Sequence, residues 1–219
     1  MGQTKHGRSA LGLVALLIAG LLALPSTGLA QLGGLLPPPP TSTSTTPTVV
    51  GNASAAQVVL LGLLGTVTST SLASTGISST NAESDVGQDT GSIPSLLGAE
   101  VLNAATYSYP DQVDSAASLA NLGVTVAGIY ISADSVVAEA SQVLGAAGSG
   151  SSYITNLTIN GVPVNVTGDP NQTIWIPGGQ IVLNEQTISS TGSAVVNAIH
   201  VTVNGVADVV IASATAGIS

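Results

Sequence analysis

Three residues in the second half of the sequence, Glu185, His200 and Asp208, carry the side chains best suited to hydrolytic chemistry. A nucleophilic triad needs a histidine as base, a hydroxyl beside it and a carboxylate that orients the ring. A two-residue turn at Asn204-Gly205 would place Asp208 across from about Val201. His200 and Asp208 are therefore expected to be neighbours. No Gly-x-Ser-x-Gly motif is present. The favoured interpretation is therefore that His200 is a half-exposed histidine on a strand and that Glu185 is an acid at a strand end.

An acidic run at residues 81–89 is the candidate metal site, because Glu83, Asp85 and Asp89 offer carboxylate oxygens on alternating positions. Calcium takes about six to eight oxygen ligands, usually from a flexible loop. Val86 stands where an EF-hand loop requires glycine, and Ser92 stands where it requires a bidentate glutamate. The run therefore predicts a solvated acidic loop. A calcium-stabilised adhesive module is the alternative, and calcium is the only cofactor that the sequence suggests.

Trp175 is the only tryptophan of a chain that has no phenylalanine and four tyrosines. It alternates with Ile174 and Ile176, so it faces away from both. In a chain so poor in aromatic residues we expect Trp175 to fill the core, with an exposed, ligand-stacking tryptophan as the alternative. Clefts that process sugars usually present several aromatic side chains. A secreted polysaccharide hydrolase that uses acidic residues is therefore the weaker interpretation.

The basic residues of the chain are confined to its start, where Lys5 and Arg8 precede an apolar run from Leu11 to Leu24. Gly28 and Ala30 provide the small side chains that signal peptidase needs just before its cut. We predict a signal peptide over residues 1–30, cleaved after Ala30. Residues 31–219 then carry all 11 acidic groups and no Lys or Arg.

This charge pattern excludes several classes of function. Binding to nucleic acids or to anionic membranes needs cationic side chains, and no Lys or Arg remains after residue 30. Schiff-base chemistry and phosphate clamping also need Lys or Arg. The absence of cysteine excludes disulfides, thiolate catalysis and thiolate-bound zinc. We therefore expect partners that are recognised by shape and hydrogen bonding, and no nucleic acid or membrane among them after signal cleavage.

The rest of the sequence divides into a linker and one domain. Residues 31–50 contain four consecutive prolines and a Ser/Thr tract, which favour an extended linker. Residues 51–219 are the predicted extracellular domain. From about Val49 onward, strand-like runs alternate with Gly, Asn-Gly and Pro-Gly turn signals.

These signals predict an all-β fold, a β-sandwich built from hairpins. Three hairpin turns are expected, at Asn160-Gly161, Pro177-Gly178-Gly179 and Asn204-Gly205. The pattern apolar-Thr-apolar-x-Gly recurs at irregular spacing, so an irregular β-solenoid is the less favoured alternative. A short helix near Ala55–Leu64 is a further alternative for that segment.

Four segments of the domain carry a family resemblance: Asn156–Gly168, Asp169–Ile174, Val182–Gln186 and Ala207–Gly217. Together they resemble the choice-of-anchor P family of bacterial extracellular proteins. The resemblance implies a secreted domain whose relatives are held at the cell surface by various C-terminal sorting signals, and it implies no catalytic residues. Neither an apolar tail nor a basic cluster follows Gly217 in this chain, which favours free secretion or a noncovalent partner.

The sequence thus predicts a secreted or cell-surface-associated bacterial domain with a structural or adhesive role and no catalytic activity. Its expected partners are a cell-envelope polymer, another protein or further copies of itself. A secreted hydrolase is the alternative.

Overall fold

The computed structural model describes residues 47–61, 67–190 and 192–219. The predicted signal peptide, its cleavage after Ala30 and most of the predicted linker lie outside these residues. Within them the chain forms thirteen strands and no helix, which confirms the all-β prediction. The strands are β1 (Val49–Leu61), β2 (Val67–Ser74), β3 (Ala82–Ile93), β4 (Leu97–Ser108), β5 (Gln112–Val126), β6 (Ile129–Val143), β7 (Ser149–Thr155), β8 (Thr158–Ile159), β9 (Val162–Pro163), β10 (Gln172–Ile176), β11 (Gly179–Ile188), β12 (Ser193–Val203) and β13 (Ala207–Ile218).

The strands form two antiparallel sheets, as a β-sandwich requires. The first sheet has the order β10-β11-β12-β13-β1-β2. The second sheet has the order β3-β4-β5-β6-β8-β9, and β7 also pairs with β6. The inner faces of the sheets pack on each other, with β12 and β13 against β6 and with β1 against β4 and β5. Because β1 occupies residues 55–61, the alternative of a short helix is wrong for that part of its segment.

The core between the sheets consists of alanine and of branched aliphatic side chains. The largest fully buried side chains include Leu102, Leu119, Ile131, Ile181, Leu183, Ile199 and Ile211. Small residues bring the two sheets close together. At Gly51 on β1, an added Cβ would lie 2.6 Å from Ser78 Oγ and 2.6 Å from Thr106 Cγ2. The composition therefore supports dense packing without phenylalanine.

Buried hydroxyl groups join the two sheets at one end of this core. Thr106 is fully buried, and its Oγ1 lies 3.1 Å from Thr75 Oγ1 and 3.2 Å from Ser115 Oγ. The Thr75 hydroxyl also accepts a hydrogen bond from the Ala53 amide at 3.0 Å. These contacts connect β1 of the first sheet with β4 and β5 of the second, because each hydroxyl can both donate and accept.

The three predicted turns are present, and two of them differ in length from the prediction. Asn160-Gly161 is a two-residue turn with φ angles of 51° and 76°, the positive values that a type I′ turn requires. Its flanking strands, β8 and β9, are only two residues long. The turn at Pro177-Gly178 is one residue shorter than predicted, since Gly179 already pairs with Ile176. The third turn is one residue longer and affects the candidate site directly.

Candidate functional site

Glu185, His200 and Asp208 lie on neighbouring strands of the first sheet, β11, β12 and β13. We call these three residues the histidine cluster. Ile199 and Val201 flank His200 in the sequence and are fully buried in the core. The imidazole therefore lies on the outer face of the first sheet, which is directed away from the second sheet.

His200 and Asp208 share this face because of the length of the loop between β12 and β13. The strand register leaves three loop residues, 204–206, so Asp208 lies opposite Thr202 rather than Val201. A change of register by one residue moves a side chain to the other face of a sheet. With the predicted two-residue turn, Asp208 would have shared the core-facing side with Val201. The prediction that His200 and Asp208 are neighbours is confirmed, whereas the register on which it rested is wrong.

A local change of alternation in β11 brings Glu185 to the same face. Leu183 points into the core, and strict alternation would point Glu185 there too. Asn184 lies between them and has a left-handed φ of 50°, which turns Glu185 outward. Asparagine adopts this conformation more readily than most residues. Its side chain holds the turn, because Nδ2 donates to the Gly168 carbonyl at 2.9 Å and Oδ1 accepts from Gln186 Nε2 at 2.8 Å.

The two ring nitrogens of His200 face two different carboxylates. Nδ1 lies 2.8 Å from Glu185 Oε2, and Nε2 lies 3.1 Å from Asp208 Oδ2. The exposed fractions of the side chains are 20% for His200, 30% for Glu185 and 48% for Asp208. The cluster therefore sits in the sheet surface and is partly shielded from water.

These contacts favour the charged form of the imidazole. Burial lowers the pKa of His200, but the hydrogen bond with Asp208 and the negative charges of Glu185 and Asp208 outweigh that effect and raise the pKa above its ordinary value. The imidazolium ring donates to both carboxylates. Since residues 31–219 contain no Lys or Arg, His200 is the one side chain in this range that can balance acidic groups.

Further polar side chains complete the network on the same face. Asn197 Nδ2 donates to Glu185 Oε2 at 2.7 Å, and Ser213 Oγ donates to Asn197 Oδ1 at 2.7 Å. Neither Asn197 nor Ser213 was predicted from the sequence. Strict alternation from His200 would place Asn197 on the core side with Ile199 and Val201. Ala198 and Ile199 are both buried, so the alternation of β12 changes there and brings Asn197 to the face of His200.

The contacts of His200 also bear on catalysis. Glu185 at Nδ1 and the Thr202 hydroxyl at Nε2 follow the order of an acid–histidine–hydroxyl triad. However, Thr202 Oγ1 lies 3.4 Å from Nε2, whereas Asp208 Oδ2 lies 3.1 Å from it. A charge-assisted hydrogen bond to Asp208 keeps a proton on Nε2, so this nitrogen cannot accept the proton of Thr202. The arrangement suits charge pairing better than nucleophilic catalysis.

Trp175 lies on the same outer face and is 77% exposed, so the expectation that it fills the core is wrong. It belongs to β10, the edge strand of the first sheet. Ile174 and Ile176 pack against the core and leave the indole on the solvent side. Gln180 on β11 is the direct cross-strand partner of Trp175. The exposed, ligand-stacking alternative for Trp175 is thus the one that the fold allows.

The acidic run that contains Glu83, Asp85 and Asp89 forms strand β3 and is not the predicted loop. Glu83 pairs with Tyr107, and burial together with the nearby charges of Asp85 and Glu83 raises the pKa of the Tyr107 hydroxyl. All three acids point to solvent from an edge strand, where charged side chains are common. Among the described residues no group of three or more His, Asp or Glu side chains is placed to hold a metal ion. The calcium alternative gains no support from this geometry.

No protein-family model, curated protein or solved structure matches the chain. The resemblance to the choice-of-anchor P family therefore stays a prediction from the sequence. Among the residues that the structure describes, no helix is long and apolar enough to cross a membrane.

Proposed function

We propose that this protein is a secreted or cell-surface-associated bacterial domain with a structural or adhesive role and no catalytic activity. One observation carries the proposal: Trp175 is 77% exposed on an open sheet face that also bears polar side chains. Tryptophan is enriched among the residues that dominate binding energy at interfaces. The partner is a cell-envelope polymer, another protein or a further copy of the chain.

Export is supported by the sequence of residues 1–30, with its basic start, apolar run and small residues before Ala30. The acidic, cysteine-free composition of residues 31–219 is compatible with an extracellular domain that needs no disulfides, since a chain of this length can bury a sufficient core. An intact mass equal to that of residues 31–219, measured on protein recovered outside the cytoplasm, is the expected result. The full-length mass in that fraction would contradict signal cleavage.

The non-catalytic part of the proposal rests on the histidine cluster. Both ring nitrogens of His200 are held by carboxylates, and Glu185 is also held by Asn197. A general base must be free to accept a proton from the group that it activates. Within this network the imidazole has no free nitrogen, so its groups stabilise one another and are not poised for chemistry.

A secreted hydrolase is the second candidate, and the order Glu185–His200–Thr202 is the observation that favours it. The test is incubation of the wild-type protein and of a Glu185→Gln variant with a panel of polysaccharides, followed by an assay for reducing ends. We expect no release from either protein. Release by the wild type that disappears in Glu185→Gln would support the hydrolase and contradict the proposed function.

A further inference from the structure

We propose that the outer face of the first sheet binds an uncharged polysaccharide along a row formed by Trp175, Gln180, Thr202 and Asp208, which we call the tryptophan row. This inference rests on the proposed adhesive function and specifies the ligand class and the residues that hold it.

The strand register places the four residues in one line across the sheet. Gln180 lies directly opposite Trp175, Thr202 opposite Gln180, and Asp208 opposite Thr202. Neighbouring strands are about 4.8 Å apart. The row therefore extends for about 14 Å at right angles to the strands. This gives one aromatic platform followed by three polar side chains, a length that suits a short stretch of a sugar chain.

The polar groups of the tryptophan row retain hydrogen-bonding capacity. Within the described residues, the Gln180 side chain makes no hydrogen bond, and Asp208 engages only Oδ2, which contacts His200. The Thr202 hydroxyl has one long contact, 3.4 Å from His200 Nε2. In contrast, Glu185 lies off this row and is held by neighbours in the network. The unused donors and acceptors are thus concentrated beside the exposed indole.

The chemistry of these groups identifies the class of ligand. An indole ring packs against the apolar face of a sugar ring, while amide, hydroxyl and carboxylate groups bind sugar hydroxyls. Glu185 and Asp208 make the face negative apart from His200, and no Lys or Arg is present in residues 31–219. Polymers that carry carboxylates or phosphates would be repelled. An uncharged, hydroxyl-rich sugar chain can pack on the indole, bind the polar groups and avoid this repulsion.

The sole tryptophan of the chain makes the test direct, because intrinsic tryptophan fluorescence reports only on Trp175. The full-length protein is titrated with soluble uncharged polysaccharides, namely hydroxyethyl cellulose, galactomannan, laminarin and glycogen, and with polygalacturonate as the anionic control. We expect a shift of the emission maximum with at least one uncharged polymer and no shift with polygalacturonate.

Two variants locate the site by affinity electrophoresis in gels that contain the responding polymer. Trp175→Ala should bind the polymer at least about tenfold more weakly. An aromatic side chain that becomes buried in a complex commonly contributes this much to affinity. Tyr153→Ala is the matched control, because Tyr153 is 64% exposed but lies on β7 of the second sheet. It should migrate like the wild type. Gln180→Ala should weaken binding a few-fold, and thermal melts should be unchanged for Trp175→Ala because the indole is largely exposed.

Several outcomes would overturn the inference. Equal binding by wild type and Trp175→Ala, a response to polygalacturonate alone, or no response to any uncharged polymer would each do so. Self-association in sedimentation velocity that is lost in Trp175→Ala, with no polysaccharide binding, would assign the face to a second copy instead. If the protein still sediments with cell-envelope material in any of these cases, only this inference fails. If it does not, the proposed function fails as well.

Discussion

Replacing His200 by asparagine removes the side chain that balances Glu185 and Asp208. The imidazole makes two ion pairs, at 2.8 Å and 3.1 Å, and is 20% exposed. Partly exposed pairs contribute about 0.2–1 kcal/mol each after solvent screening. The two pairs together therefore contribute about 0.4–2 kcal/mol while the ring is charged. For a domain of this size, each kcal/mol changes Tm by about 2–4 °C.

The dependence of this contribution on pH follows from the raised pKa of His200. A group whose pKa is higher in the folded state stabilises that state fully below its unfolded value, which for histidine is about 6.5. The stabilisation is lost as the pH rises through the folded value. The difference in free energy of unfolding between wild type and His200→Asn should thus be largest near pH 6 and should shrink by about pH 9.

Thermal or urea unfolding of both proteins at about pH 6 and pH 9 measures this difference. Both proteins carry the same 11 acidic groups, so the general repulsion among them cancels in the comparison. Raising the salt concentration should reduce the difference near pH 6, because the pairs are partly exposed to solvent. A difference that is equal at the two pH values, or larger at the alkaline one, would refute the assignment of a charged, doubly paired His200.

Two core positions give further tests by thermal unfolding. Gly51→Ala should lower the free energy of unfolding by about 1–3 kcal/mol, because a Cβ there would overlap atoms of the facing sheet. Gly98→Ala is the control and should change the free energy of unfolding little, since nothing lies within 4 Å of the added atom. Equal effects of the two substitutions would contradict the packing. Thr106→Val should cost about 1–3 kcal/mol by leaving the buried Ser115 hydroxyl unpaired. Thr106→Ser retains the hydroxyl and should cost less, so a reversed order would contradict the hydroxyl network.

The strand content and the turns of this fold were predictable because they depend on local signals. Asn160-Gly161 and Pro177-Gly178 supply residues that adopt positive φ angles without a large steric cost, and the apolar runs around them alternate with period two. The aliphatic composition of the core was also predictable, because the chain contains no phenylalanine. These features need no knowledge of which strands pair.

The predictions that were wrong concern features that depend on strand pairing between residues far apart in the sequence. Trp175 is exposed because Ile174 and Ile176 occupy the core-facing side of β10. The local pattern separates the two faces of the strand but does not report which face the second sheet covers. The acidic run with Glu83 and Asp85 has poor strand propensity, yet pairing with β4 holds it extended. In the candidate site, the three residues 204–206 and the left-handed Asn184 each change which face a side chain occupies. Only these two departures from regular alternation assemble Glu185, His200 and Asp208.

The proposed adhesive role is tested most directly by co-sedimentation of the purified protein with cell-envelope material from its own host. We expect that a substantial fraction pellets with the envelope, that the bound protein is recovered unchanged in mass, and that the supernatant contains no newly released sugar. Protein that stays entirely in the supernatant, or that leaves the envelope only as it releases soluble sugar, would contradict a non-catalytic adhesive domain.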